Sequence, residues 1–177
     1  MSGYLPGKRG WAKRRTRKAF VAAAATLLKQ KEFFDISVID ICDQAGIPRA
    51  TFYNYFEDKY DLVRMAAFDL VERLGEYKAP ENAKDIEIVT DLISITLRTC
   101  KSQRDVLPAF FPVGGLVTDA MINALSQKLL PVKKDKLESD LAASEIAYGA
   151  KWWAEGGYVL EEDFMKKRLL SLLGYVD

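Results

Sequence analysis

The chain has 177 residues, 49% of them hydrophobic, which is enough for one domain or two small ones around a real core and excludes a disordered tail. Its formal net charge is +1, yet residues 1 to 60 hold eleven Lys or Arg against six Asp or Glu, and the remainder fifteen against nineteen. A basic N-terminal part on a mildly acidic body is what phosphate binding at one end predicts, a merely solvated basic face being the other reading, and the absence of any histidine excludes histidine-dependent catalysis and most zinc sites.

Cys42 and Cys100 are the only cysteines, and Cys42 falls on a core position of a helix pattern, so no structural disulfide is expected. The N-terminus carries no apolar signal-peptide core, and the apolar run from Phe20 to Leu28 is too short to span a bilayer. The expectation is a soluble, cytoplasmic protein with no membrane contact. Neither a glycine-rich phosphate loop nor a nucleophile elbow is present, so no catalytic residue, metal or cofactor is predicted.

In chain order, residues 1–13 contain three glycines, one proline and scattered basic residues. This composition predicts a flexible basic arm, which can reach into a minor groove or end without a defined contact. Arg14, Arg15, Arg17 and Lys18 lead into an alanine-rich helix from about Thr16 to Lys31, packed through Phe20, Ala23, Ala24, Leu27 and Leu28. Arg14 and Arg17 are candidate contacts of the arm. Phe33, Phe34 and Ile36 then close a small core.

Ser37 is a good N-cap with Asp40 placed to complete a capping box, and Val38, Ile41, Cys42 and Ala45 recur on one helical face. Gly46 follows where the helix needs positive φ, Ile47 plugs the corner, and Pro48 opens a second helix from about Arg49 to Tyr55. Phe52 and Phe56 face the core, which leaves donors and aromatics on the outer faces. Laid in a major groove, such a helix would bring Arg49 and Asn54 to base edges, and Thr51, Tyr53 and Tyr55 to the backbone. Ser37 and Ala50 complete the expected contact set. Lys59, at the start of the next helix, could share one phosphate with backbone N–H groups.

The run from Thr16 to Leu62 resembles the DNA-binding domain of the TetR family of transcriptional regulators. Ala45, Gly46, Thr51, Phe52, Tyr53, Phe56, Lys59 and Leu62 match its pattern in order and spacing. Departures are Pro48, where a serine N-cap is commoner, and Tyr55, where histidine is frequent. The resemblance implies a dimeric regulator, a repressor in the leading reading, that binds a palindromic site on double-stranded DNA and is released by a small-molecule effector. A regulator that senses no small molecule and docks a partner protein through its C-terminal domain is the alternative.

Beyond Lys59, Leu62, Val63, Ala66, Leu70 and Leu74 predict one linker helix that ends before Gly75 and Pro80. Asp85 to Arg104 reads as a long amphipathic helix. Prolines 108 and 112 and glycines 114 and 115 then forbid a long helix, so Phe110 and Phe111 sit on a mobile lid or in an ordinary packed corner. A helix from about Thr118 stops at Pro131. From about Asp135 to Glu155 two apolar stripes run, Leu137, Leu141, Tyr148 and Trp152 on one and Ile146, Ala150 and Trp153 on the other, and two stripes need two partners. After Gly156 and Gly157 an acidic start at residues 161–163 leads a last helix, and this hairpin resembles the C-terminal region of small TetR-family members, including regulators of the dihydroxyacetone-kinase type.

The fold expected is all-α with about nine helices. It comprises a basic arm (1–13), a three-helix helix-turn-helix DNA-binding domain (14–60) and a larger effector-binding and dimerisation domain (61–177). A homodimer would form through the last two helices. Phe110, Phe111, Met121 and Trp152 are the candidate effector pocket.

Overall fold

A computed structural model describes residues 8–176 of the chain, with side chains from Arg14 onward except that of Asp69. Among the described residues the regular structure is entirely helical, in nine α-helices and two 3-10 turns, and the chain divides into two compact units, Met1–Met65 and Ala66–Asp177.

The first unit begins with α1 (Lys8–Leu28), followed by a 3-10 turn at Phe33–Asp35, α2 (Val38–Ala45), α3 (Arg49–Phe52) and α4 (Lys59–Ala66). α1 starts well before the Thr16 expected from composition. Residues 8–13, placed in a flexible arm by their glycine and basic content, continue the helix, because Gly10 lowers helix propensity without ending a helix that good formers flank. The rest of the predicted arm, residues 1–7, lies outside the described residues.

One ring organises this unit's core. Phe20 on α1 is fully buried and meets Phe52 edge-on at 5.3 Å and Phe56 at 5.9 Å, and these two are 5.1 Å apart. Ile36, Ile41, Cys42, Leu62 and Val63 fill the space around them. Phe34, expected to help close the core, is instead 80% exposed, because the tight 3-10 turn carries Phe33 inward and sends its neighbour out.

The second unit holds α5 (Phe68–Glu76), α6 (Asp85–Ser102), a 3-10 turn at Leu107–Phe110, α7 (Leu116–Leu129), α8 (Lys136–Glu155) and α9 (Glu162–Leu172). The single linker helix expected after Lys59 is thus two helices, α4 and α5, parted at Ala67. Apolar periodicity runs through this break and gives no sign of it. Phe110 and Phe111 are fully buried beside Leu107, so the proline-rich segment is a packed corner. Gly114 and Gly115 both take positive φ, 59° and 74°, and redirect the chain into α7 at a point where any other residue would be strained.

α8 is stitched in place at both ends. Asp135 caps it by accepting from the Glu138 N–H at 2.9 Å. The Ser126 hydroxyl of α7 donates to Asp140 at 2.6 Å, while Lys136 bonds the same carboxylate. At the far end the Trp153 indole N–H donates to the Leu160 carbonyl at 2.8 Å, and the Tyr158 hydroxyl donates to the Cys100 carbonyl at 2.9 Å. Gly149 permits the approach of α9, since a Cβ there would lie 2.5 Å from Leu169 Cδ2. Among the described residues no helix is long and apolar enough to cross a membrane.

Candidate nucleic-acid interface

The interface is built from the corner between α2 and α3. At its start Ser37 Oγ accepts from the Asp40 N–H at 3.1 Å, and the Asp40 carboxylate takes the Ser37 N–H at 2.8 Å and the Ser37 hydroxyl at 2.7 Å. This reciprocal box satisfies one orphan donor of α2, the Asp40 N–H, together with the N–H of the capping residue itself. The Ser37 hydroxyl holds Asp40 below the usual carboxylate range, with the Ser37 N–H and then Lys31 adding to the effect. Gly46 ends the helix at φ 64°, and the Ile47 N–H reaches back to the Cys42 carbonyl at 3.1 Å. The corner is therefore set by local hydrogen bonds.

Pro48 fixes the entry to α3 but offers no side-chain acceptor. α3 is regular only from Arg49 to Phe52. The residues expected to extend it, Tyr53 to Tyr55, form a tighter turn in which the Asn54 N–H goes to Thr51 and the Tyr55 N–H to Phe52. Four residues cannot sustain the wider α-helical turn once Phe52 and Phe56 are both drawn onto Phe20.

On this short helix Arg49, Ala50, Tyr53 and Asn54 are exposed together, with Thr51 and Tyr55 half-buried beside them. Arg49 Nη2 donates to the Tyr53 hydroxyl at 2.9 Å, and its guanidinium lies 5.4 Å from that ring. The pair presents one cation and one aromatic face as a unit. Tyr55 is committed in part to the core, its ring 6.4 Å from Phe20 and 6.3 Å from Phe56. Arg14 and Arg17 stand half-buried on α1.

Lys59 lies half-buried at the start of α4. Its ammonium donates to the carbonyls of Phe33 at 2.9 Å, Phe34 at 3.2 Å and Ile36 at 2.8 Å, and lies 4.7 Å from the Phe33 ring. Three donors meet three acceptors in this connection. At the N-terminus of α4 Asp58 Oδ1 accepts from the Asp61 N–H at 2.8 Å, and Asp61 accepts from the Glu57 N–H at 3.2 Å. The spacing of Asp58 and Asp61 carried this second capping pair in the sequence.

The candidate effector residues are not brought together. Phe110, Phe111 and Met121 lie in the packed core of the second unit, whereas Trp152 is 62% exposed on the outer face of α8. Its neighbour Trp153 is the buried one, because a step of one residue turns a helix by about 100°.

The family model of bacterial regulatory proteins of the tetR family matches residues 20–66, which hold the Phe20 core, both capped helices and the exposed face of α3. That stretch, 47 of the 177 residues, is similar to the regulatory proteins of the tetR family. Solved structures extend the likeness of fold along the molecule. The dihydroxyacetone kinase operon activator DhaS is 19% identical, with 89% of this chain and 93% of that one covered at a TM-score of 0.60. FadR of Thermus thermophilus, a TetR-family repressor solved with lauroyl-CoA, is 18% identical, with 89% and 92% covered at 0.58. NalD of Pseudomonas aeruginosa, the secondary repressor of an efflux pump, is 17% identical, with 92% and 96% covered at 0.58. At these identities the likeness is one of fold. The comparison with curated proteins gives no match. The family match falls on the unit that carries the excess of basic residues.

Proposed function

We propose that this protein is a TetR-family transcriptional regulator that binds a palindromic site on double-stranded DNA as a homodimer and acts as a repressor released by an effector. The observation that carries the reading is the joint exposure of Arg49, Ala50, Tyr53 and Asn54 on a helix whose other face is fixed to a buried aromatic core. A rigid mount with an exposed polar face is what base-edge recognition requires, and a basic flank supplies the phosphate attraction. Arg49 and Asn54 read bases. Ser37, Thr51, Tyr53 and Tyr55 position the backbone, with Ala50 close enough to admit the groove wall. Two such helices related by a two-fold axis would address half-sites roughly 34–36 Å apart.

The reading is tested by selecting bound fragments from a random duplex library and aligning them. A palindrome with half-sites about one turn apart is the expected result, and sequences without symmetry would argue against it. Tyr53→Ala is expected to weaken binding of the selected site on the order of tenfold at fixed salt, while light scattering gives the wild-type mass. Unchanged binding would remove the exposed face of α3 from the interface.

A second reading is favoured by the burial of Phe110, Phe111 and Met121, whose side chains fill space that an effector would need. In it the second unit senses no small molecule and docks a partner protein. A thermal-shift series with acyl-CoA thioesters and small metabolites separates the two: a saturable shift supports an effector, because a ligand bound only to the native state raises its stability.

A further inference from the structure

Arg49 and Tyr53 form one unit on α3. They stand four residues apart, and one helical turn sets them side by side on the exposed face. The Tyr53 hydroxyl accepts from Arg49 Nε at 3.3 Å and from Nη2 at 2.9 Å. Tyr53 is itself braced, its ring meeting buried Phe52 edge-on at 5.5 Å. The aromatic core thus reaches through one ring and one hydroxyl to a guanidinium in solvent.

The donors left over have a definite shape. A guanidinium carries five N–H groups in a fixed plane. Two of them go to Tyr53, and those that remain include one on each terminal nitrogen, parallel along the outer edge. Two parallel donors need two acceptors side by side. In the major groove only guanine offers that pair, at O6 and N7, because adenine and cytosine present an amino donor there and thymine a single acceptor. The Tyr53 hydroxyl, which accepts from Arg49, keeps its own hydrogen for a phosphate oxygen.

We propose that Arg49 reads one guanine in each half-site through its outer edge, and that Tyr53 holds it in the reading position while contacting the backbone. Tyr53 is then a positioning residue for specificity as well as a phosphate contact. The role rests on the DNA-binding reading above. Arginine has many rotamers, and ordering it in advance lowers the cost of ordering it on the base. The same fork also fits a phosphate, a contact that would tighten binding without regard to sequence.

Sites are selected from a random duplex library with the wild-type protein. Duplexes carrying each of the four base pairs at each half-site position are then titrated with wild type, Arg49→Ala and Tyr53→Phe. One salt concentration at which all three bind measurably is used, and circular dichroism melts confirm that each is folded. For the wild type, one G·C pair in each half-site is expected whose replacement weakens binding on the order of tenfold. Arg49→Ala should erase that preference and keep the others. Tyr53→Phe retains the ring and loses only the oxygen. It should weaken binding to the selected site and shrink the guanine preference to about threefold or less, with the other positions unchanged.

An intact guanine preference in Tyr53→Phe, with every duplex weakened by the same factor, would mean that Tyr53 meets only a phosphate and would overturn its positioning role. A wild-type site without a guanine preference that Arg49→Ala removes overturns the base assignment. Wild-type protein that binds no duplex at any salt overturns the DNA reading itself and this role with it.

Discussion

Asp40 shows how one side chain can serve the fold and expose it to acid. Its carboxylate takes both the N–H and the hydroxyl of Ser37, and these bonds lower its pKa from the ordinary 3.8. A carboxyl lowered by folding contributes stability that is complete above the unfolded value and is lost as pH falls through the folded one. Ser37→Ala removes the acceptor of the Asp40 N–H and one donor to the carboxylate, and is expected to cost about 1 kcal/mol near neutral pH. Thermal melts of wild type and variant across pH should show this gap narrowing below the ordinary carboxyl value. A gap that stays constant into acid would mean that the cap acts without the carboxylate. Both residues were legible from their spacing, since a capping box is written within four positions. The destination of Lys59 was not, because its acceptors lie 23 to 26 residues away and no local pattern announces them.

At the scale of elements, α8 carries the most information, and only part of it was open to reading. Its two apolar stripes were plain from helical spacing, but spacing alone does not say which of them faces the core. The structure buries Ala142, Ala143, Ile146, Ala147, Ala150 and Trp153, a strip of small residues that lets neighbouring helices come close, with one large ring at its end. The other stripe, Leu137, Leu141, Tyr148 and Trp152, stays exposed. Small side chains inside and large ones outside invert the usual bias, so the size of Trp152 points inward in the sequence while its place on α8 faces out. Trp153 stacks edge-on with Tyr158 at 4.9 Å and donates its indole N–H to Leu160. Trp153→Ala is therefore expected to cost about 3–5 kcal/mol in a denaturant melt, and a loss below about 1 kcal/mol would mean that the α8–α9 turn is held by other contacts. The break between α4 and α5 escaped for a different reason: no proline or glycine stands at Ala67, and apolar positions keep their helical period across it.

For the whole molecule, the exposed stripe of α8 continues onto α9, where Phe164 and Leu172 are also exposed, and a groove of about 330 Å³ lies between them, lined by Gly149, Trp152, Phe164 and Leu172. Contiguous large apolar side chains of this kind are costly in water, and a stable interface needs on the order of 1,000 Å² or more of buried surface with aromatic anchors near its centre. A two-fold arrangement meets that need with one patch, because each copy offers the same ridge and the same groove. Trp152→Glu would place a charge at the middle of such an interface without disturbing the monomer's core, since the side chain already faces solvent. The expected outcome is a monomer by light scattering whose melting temperature no longer depends on protein concentration, whereas that of the wild type rises with it. The same variant should bind an isolated half-site as the wild type does and lose only the added affinity for a full palindrome, because linkage of two readers, and neither reader itself, has been removed. Loss of half-site binding as well would mean that dimerisation is needed to hold the reading unit in its active form.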